Sequence, residues 1–266
     1  GVTVVPPSGK VLDGAELKSM VEASLDGWLT TGRFNEAFEK RLAAYLGVKF
    51  LITTNSGSSA NLLAFTALTS PRLGERAIKP GDEVIVPALT FGATANAVIQ
   101  VGAIPIFADV DASTFGLSQA TIEPVLTSKT KAILIVHLYG RPSNLEEILK
   151  FAKPRNILVI EDCAEALGTT FQNLHVGTQS DAGTFSFFAN KTITTGEGGM
   201  VCFKDNVAYE KAKLIRSHGF DPKNRYWHLT WGTNMRLTNI QAAIGVAQME
   251  RIEELVGAKK RIAKTY

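Results

Sequence analysis

From Phe50 to Ile160 short apolar runs alternate with longer amphipathic ones, and this alternation restricts the fold more than any other feature. Phe50–Thr53 reads as a strand, 55–59 as a turn and Ala60–Leu68 as a helix. Glu83–Val86 reads as a strand, 87–92 as a loop, and a helix follows through Val98. The pattern then predicts a strand at Ile104–Phe107, a helix at Leu117–Leu126 and a strand at Lys131–Val136. A helix at Leu145–Phe151 and a strand at Ile157–Ile160 complete it. Strands joined by short helical crossovers predict an α/β domain with a largely parallel sheet. In such sheets ligands sit at the carboxyl ends of the strands, so the residues that follow each strand are the ones to inspect.

Residues 1–12 read as an extended Pro- and Gly-rich arm. Asp13 is placed to cap a helix to Leu25, with Leu17, Met20, Val21 and Leu25 on one face. A second helix carries Phe34, Phe38, Leu42 and Tyr45 in one stripe and stops at Gly47; Trp28 and Phe34 read as core or interface packing. Beyond Phe203 a helix at Val207–Arg216, a polar aromatic-rich loop at 218–235 and a helix from Thr238 are expected. With 266 residues, 45% of them hydrophobic, the chain has ample core for one large domain or two small ones. A net charge of +3 without runs of like charge speaks against nucleic acid or an anionic membrane as partner. Cys163 and Cys202, each inside an apolar run, read as reduced core residues of a cytoplasmic protein. Two thiols cannot by themselves hold a four-cysteine iron–sulfur cluster. No signal peptide or membrane-length apolar run is read from the sequence. The chain opens without methionine and closes inside a helical pattern, so trimming at both ends is expected.

Residues 183–200, GTFSFFANKTITTGEGGM, bring Lys191 into a turn between two apolar runs. Burying an ammonium without a partner is costly. A neutral lysine amine is a nucleophile toward carbonyls, with a Schiff base as its usual product. A surface lysine at a hairpin turn explains this stretch equally well. The turn Asn55–Ser59 ends a strand and opens a helix, where backbone N–H groups and small hydroxyls suit a phosphate and Gly57 allows close approach. Serines and glycines also cap helices with nothing bound. Glu161, Asp162 and Glu165 follow the strand at 157–160. A carboxylate there can keep a ring nitrogen protonated, since a unit-charge pair at ~4 Å is worth about 4 kcal/mol at an effective dielectric near 20. A helix cap or a magnesium ligand is the alternative, and no second cluster has metal spacing, so no metal is expected. Phe91 offers a stacking face and Ser186 a hydroxyl for a phosphate; core packing and a strand hydroxyl are their plainer roles. Of the four histidines, His137 alone ends a strand, and a core role suits it better than catalysis. A phosphate turn, a stacking aromatic, a carboxylate and a lysine, all after strands of one sheet, together describe pyridoxal 5′-phosphate.

These residues lie in TNSGSSAN (54–61), VPALTFGATANAV (86–98), EDCAEALG (161–168), SFFANKTITTGEGGM (186–200) and GTNMRLTNIQAAIGVAQMERI (232–252). In these motifs the chain resembles the sugar aminotransferases of the DegT/DnrJ/EryC1/StrS group. The resemblance implies the fold type I architecture of aspartate aminotransferase, with a mostly parallel seven-stranded sheet flanked by helices. It implies an arm and helix at 1–33, a large cofactor-binding domain at 34–250, and at 251–266 the start of a link to a C-terminal small domain outside this sequence. Lys191 would form the Schiff base and shuttle the proton, Asp162 would pair with the pyridinium nitrogen, and Phe91 would stack on the ring. Gly57, Ser58, Ser59 and Ser186 would hold the phosphate. Glu165 stands where many relatives have glutamine near the ring hydroxyl. Asn234 resembles the asparagine that reaches the phosphate of a neighbouring subunit, which implies a homodimer with shared sites. The implied substrates are glutamate and a nucleotide-linked 4-keto-6-deoxy sugar, with amination at C4 as in GDP-perosamine synthases. Residues 6–34 and SPRLGERAIKPGDEVI (70–85) look more like sugar 3-dehydrases. Those enzymes carry histidine in place of the lysine, and one branch adds an iron–sulfur cluster. Lys191 and the lack of cluster cysteines favour transamination over 3-dehydration, and a cofactor-binding module without activity is kept as the non-enzyme alternative because the small domain lies outside this sequence. Surface polysaccharide and antibiotic sugar synthesis are both open.

Overall fold

In the computed structural model, which describes residues 11–224 and 226–266, one sheet organises the chain. Its strands are β1 (Phe50–Thr54), β2 (Glu83–Pro87), β3 (Ile104–Ala108), β4 (Thr130–Val136) and β5 (Leu158–Asp162). A two-residue ribbon, β6 (Thr170–Phe171) and β7 (Leu174–His175), stands apart, and β8 (Ala182–Ser186) and β9 (Gly199–Phe203) complete the sheet. The seven strands lie in the order β1-β9-β8-β5-β4-β2-β3. β9 is antiparallel to both its neighbours, and every other pairing is parallel. The mostly parallel α/β sheet expected from the alternating pattern is therefore the one observed. Edge strand β3 carries Pro105, which has no N–H to donate and is tolerated at an edge.

The helices are α1 (Gly14–Leu25), α2 (Arg33–Leu46), α3 (Gly57–Leu68), α4 (Gly92–Gln100), α5 (Gln119–Ile122), α6 (Leu145–Ala152), α7 (Asn206–Arg216), α8 (Asn239–Glu250) and α9 (Ile252–Thr265). Alternate strand residues feed opposite faces, as the pleat requires. Val84, Val86, Leu134, Ile160 and Val201 pack with Leu63, Phe65, Val98 and Ala208 of α3, α4 and α7. On the other face Ile85, Ile133, Ile135 and Val159 meet Ile148 and Phe151 of α6. Farther along that face Met200 and Cys202 meet Phe38 and Leu42 of α2 and Ala242 and Val246 of α8. Each fully buried aliphatic or aromatic side chain contributes roughly 1.5–3 kcal/mol, so this two-sided burial holds the sheet.

Several sequence expectations change in detail. The helix expected over Leu117–Leu126 is a four-residue helix capped by Ser118, followed by a 3-10 turn. Pro124 has no N–H to continue the α-helical ladder. The helix from Thr238 breaks at Arg251 into α8 and α9. Ile252, Leu255 and Val256 in the first turns of α9 are buried in the same cluster as Phe38, Leu42 and Val246 of α2 and α8, so packing continues past residue 250. The helix expected from Asp13 to Leu25 forms as α1. Its apolar stripe faces outward, with Leu17, Val21 and Leu25 exposed, while Glu16 and Ala23 are buried. Trp28 is exposed and Phe34 buried. Residues 1–10 of the expected arm lie outside the described residues.

Candidate active site

Because β1, β2, β4, β5 and β8 run the same way, their carboxyl ends meet on one side of the sheet. A cavity of about 480 Å³ opens there, within the range of roughly 300–1,000 Å³ usual for small-molecule sites. Ser56, Gly57 and Ser58 line it after β1, Phe91 after β2, Asp162 at the end of β5, Ser186 at the end of β8, and Glu165 and Lys191 from the loops. Seven of the residues singled out from sequence thus share one wall-to-wall space.

Strand register sets the rim. Gly199 is paired with both Thr54 and Ser186. A Cβ on Gly199 would sit 2.5 Å from the Ser56 carbonyl oxygen, and one on Gly57 would sit 2.8 Å from Ser186 Cβ. Glycine at both positions lets the β1–α3 turn press against β8. Ser56 caps α3, its Oγ accepting the Ser59 N–H at 3.0 Å. The Ser59 and Ser56 hydroxyls lie 3.0 Å apart, so Ser59 completes the cap and is not among the cavity-lining residues. Ser56, which the sequence reading left as part of the turn, is.

Asp162 is buried at the cavity floor. Its Oδ2 accepts from Asn61 Nδ2 at 2.9 Å and Thr94 Oγ1 at 3.1 Å, and its Oδ1 accepts the Ala164 N–H at 3.0 Å. Thr184 Oγ1 donates to Asn61 Oδ1 at 2.6 Å, which fixes which end of the amide faces Asp162. Thr94 spends its proton on Asp162, so the 2.9 Å contact with Thr90 is a donation from Thr90. Asn61, Thr94 and Thr184 were not singled out from sequence. Asn61 lies one turn after Gly57 on α3, and that i, i+4 spacing was the available signal.

Lys191 Nζ lies 3.6 Å from Glu165 Oε1, and the lysine side chain is about one-fifth exposed (21%). Glu165 Oε2 accepts the Tyr139 N–H at 2.8 Å. Tyr139 has a left-handed backbone (φ 55°), so the turn that aims this N–H carries local strain. Phe91, 79% exposed, stands at the N-cap position of α4 and lines the cavity. Asn234 is exposed on the segment before α8, bridged to Ser217, and is not among the residues lining this cavity.

Behind the site, His137 and Glu161 are fully buried, with His137 Nε2 at 2.9 Å from Glu161 Oε2. The Ser143 N–H donates to His137 Nδ1 at 3.0 Å, so the proton sits on Nε2 and is given to Glu161. Burial pushes the Glu161 carboxyl up. The bonds from His137, the Gly177 N–H and Ser180 outweigh that and hold it below its ordinary 4.5. His137 has the core role expected of it. Cys163 lies close enough for the three to suggest metal ligands. Both His137 nitrogens are already engaged, and burial beside Glu161 and Asp162 raises the Cys163 thiol well above its ordinary value. Cys202 is pushed up to about 12 by burial. Neither thiol is poised to ionise.

The donor set can be tested against pyridoxal 5′-phosphate. A helix N-terminus flanked by hydroxyls suits a phosphate, a buried carboxylate held by three donors suits a cationic ring nitrogen, and an amine lining the same cavity suits an aldehyde. The close seating of Gly57 on Ser186 brings the N-terminus of α3 and the Ser186 hydroxyl together. The residues fit the cofactor.

Comparison with known proteins agrees. The family description DegT/DnrJ/EryC1/StrS aminotransferase matches residues 11–266. The lipopolysaccharide biosynthesis protein RfbH of Salmonella typhimurium is 49% identical over 290 residues, covering 98% of this chain and 65% of RfbH. A GDP-perosamine synthase of Caulobacter vibrioides is 46% identical over 256 residues, covering 96% of this chain and 67% of the synthase. The chain therefore spans about two thirds of the length of these relatives. Among solved structures, an E. coli GDP-4-keto-6-deoxy-D-mannose-3-dehydratase with bound hydrated PLP superposes with a TM-score of 0.93 at 31% identity, covering 98% of this chain and 71% of that one. Helicobacter pylori PseC, an aminotransferase of pseudoaminic acid biosynthesis, superposes with a TM-score of 0.86 at 33% identity, covering 94% and 66%.

Proposed function

The chain belongs to the DegT/DnrJ/EryC1/StrS aminotransferase family, and from that premise we propose that it moves an amino group from glutamate to the C4 keto carbon of a nucleotide-linked 4-keto-6-deoxy sugar, with pyridoxal 5′-phosphate as cofactor. The observation that carries this reading is the convergence of Lys191, Asp162, Phe91, Ser186 and the Ser56–Ser58 turn on one cavity. The relatives named GDP-perosamine synthase support the sugar class.

When bound, the cofactor supplies an electron sink for the substrate carbon that loses or gains a proton. The protein's own groups do the rest. The N-terminus of α3, with Ser58 and Ser186, holds the phosphate. Asp162, aimed by Asn61 and Thr94, would keep the ring nitrogen protonated. Phe91 would cover one face of the ring. Lys191 Nζ is the amine that would hold the cofactor's aldehyde carbon and, when free and neutral, would take and return the proton at the reacting carbon. Glu165, seated by the Tyr139 N–H, lies beside Nζ.

The active unit in this reading is a homodimer. The exposed stripe of Leu17, Val21 and Leu25, with Trp28 and Leu29, is an apolar face awaiting a second copy. The exposed Asn234 would serve the partner's phosphate site. Residues 251–266 would lead toward a small domain. Among the described residues no helix is long and apolar enough to cross a membrane, and a cytoplasmic location is part of the proposal.

The test is an absorbance spectrum with pyridoxal 5′-phosphate, before and after glutamate. A lysine-bound band that converts to the amine form supports transamination, and Lys191→Ala should abolish both the band and turnover. Full turnover by that variant would end the assignment. Structural likeness to 3-dehydratases favours a second reading, removal of the C3 hydroxyl, which mass spectrometry of the sugar product would reveal.

A further inference from the structure

The loop bearing Lys191 has no regular secondary structure of its own. Its backbone is pinned at the ends, where the Phe187 N–H donates to the Gly198 carbonyl at 2.8 Å and the Thr195 N–H to the Phe187 carbonyl at 3.0 Å. Between these pins Ile193 is fully buried, and the Thr194 N–H donates to Gln248 Oε1 at 3.3 Å.

Gln248 lies near the end of α8 and is 1% exposed. Both its amide protons go to the N-terminal segment: Nε2 donates to Glu16 Oε1 at 2.5 Å and to the Val11 carbonyl at 2.9 Å. Glu16, on α1, is fully buried, and its other oxygen accepts the Asp13 N–H at 2.8 Å. An ionised carboxylate can only accept hydrogen bonds. Glu16 therefore demands the NH2 end of Gln248 and turns the amide oxygen toward the lysine loop. Leucine would fill the same space without burying polar atoms, which are costly unless paired. What the amide adds is a directed link between three segments: α8, the N-terminal helix and the loop two to three residues past Lys191.

We propose that Gln248 is a positioning residue for Lys191, holding its loop through the Thr194 N–H, and that Glu16 sets the direction of the Gln248 amide. The proposal rests on the reading of Lys191 as the residue that captures the cofactor.

Two readouts on the full chain test it. One is hydrogen exchange over residues 191–198 without cofactor, and the other is the rate at which Lys191 captures pyridoxal 5′-phosphate, fixed by borohydride. Gln248→Leu should speed exchange in the loop about tenfold, leave α3 and β4 unchanged, and slow capture by a similar factor. Gln248→Glu sets two carboxylates against each other and should behave likewise. Combining Gln248→Glu with Glu16→Gln restores one donor and one acceptor across that contact but leaves the Val11 carbonyl without its donor, so it should recover part of both readouts relative to Gln248→Glu alone. Unchanged loop exchange in a folded Gln248→Leu protein overturns the proposal. So does a uniform loss of protection that the exchanged pair fails to rescue, because that describes general stability and not loop positioning. Lys191→Ala separates the two ideas: it should lose capture while keeping wild-type loop exchange. Capture retained by that variant would sink the lysine assignment without touching the loop result.

Discussion

Asn61 and Asp162 stand 101 positions apart in the chain, and the Asn61 amide donates to Asp162 Oδ2 at 2.9 Å. With Thr94 on the same oxygen, the carboxylate is fixed from two helices on one face of the sheet. A hydrogen bond to a charged group is worth about 1.5–3 kcal/mol, and 1.4 kcal/mol is a factor of ten in rate. Asn61→Ala should therefore leave Lys191 able to capture the cofactor and lower kcat roughly 10- to 100-fold. Steady-state kinetics beside the absorbance of the lysine-bound cofactor checks this, and unchanged kcat would remove Asn61 from the site's machinery.

Glu161 contributes stability that depends on pH. Its folded-state value lies below the ordinary 4.5, so the contribution is complete above that pH and is lost as pH falls through the lower folded value. Glu161→Gln should cost roughly 2–3 kcal/mol near pH 7, and the gap from wild type should close in acid, once the pH has fallen through the lowered folded-state value. Urea unfolding at neutral and acid pH measures it. A gap that persists in acid would mean the loss is one of packing.

Gly57→Ala places a methyl group 2.8 Å from Ser186 Cβ. Overpacking of this kind costs about 1–3 kcal/mol. The expected result is at least a tenfold loss in affinity for pyridoxal 5′-phosphate, read by fluorescence titration. Adding Ser186→Gly removes the clash but also the hydroxyl proposed to hold the phosphate, so it should restore thermal stability and not affinity.

The outward stripe of α1 predicts association. Wild-type protein should sediment as a dimer, and Leu17→Ser with Val21→Ser should shift it toward monomer with little change in unfolding midpoint, since both side chains are exposed in the single chain. An unchanged sedimentation coefficient would place the dimer contact elsewhere.

The elements that recur with a clear period were legible in advance. Apolar runs at 83–86, 131–136 and 157–160 could be read as buried strands of a parallel sheet. The chemistry-bearing residues could then be sought where such strands end, and Lys191, Asp162, Phe91 and Ser186 were found there. The ribbon of β6 and β7 was not legible, because two residues per strand leave no period to detect. The His137–Glu161 pair was legible only as two separate residues. Nothing local announces that a histidine will meet a glutamate 24 positions later.

By itself, then, the sequence determined the α/β class, the order of strands and helices, and which side chains could serve a phosphate, a ring nitrogen and an aldehyde. It could do so because hydrophobic periodicity and turn chemistry are local properties. Only the tertiary structure decided that α1 buries Glu16 and turns Leu17, Val21 and Leu25 outward, that Asn61 and Thr94 hold Asp162, and that Gln248 reaches the lysine loop. A helical stripe shows which face is apolar, but not whether this chain has a surface to cover it. A buried polar side chain takes whichever partner the packing of distant segments brings within hydrogen-bond reach.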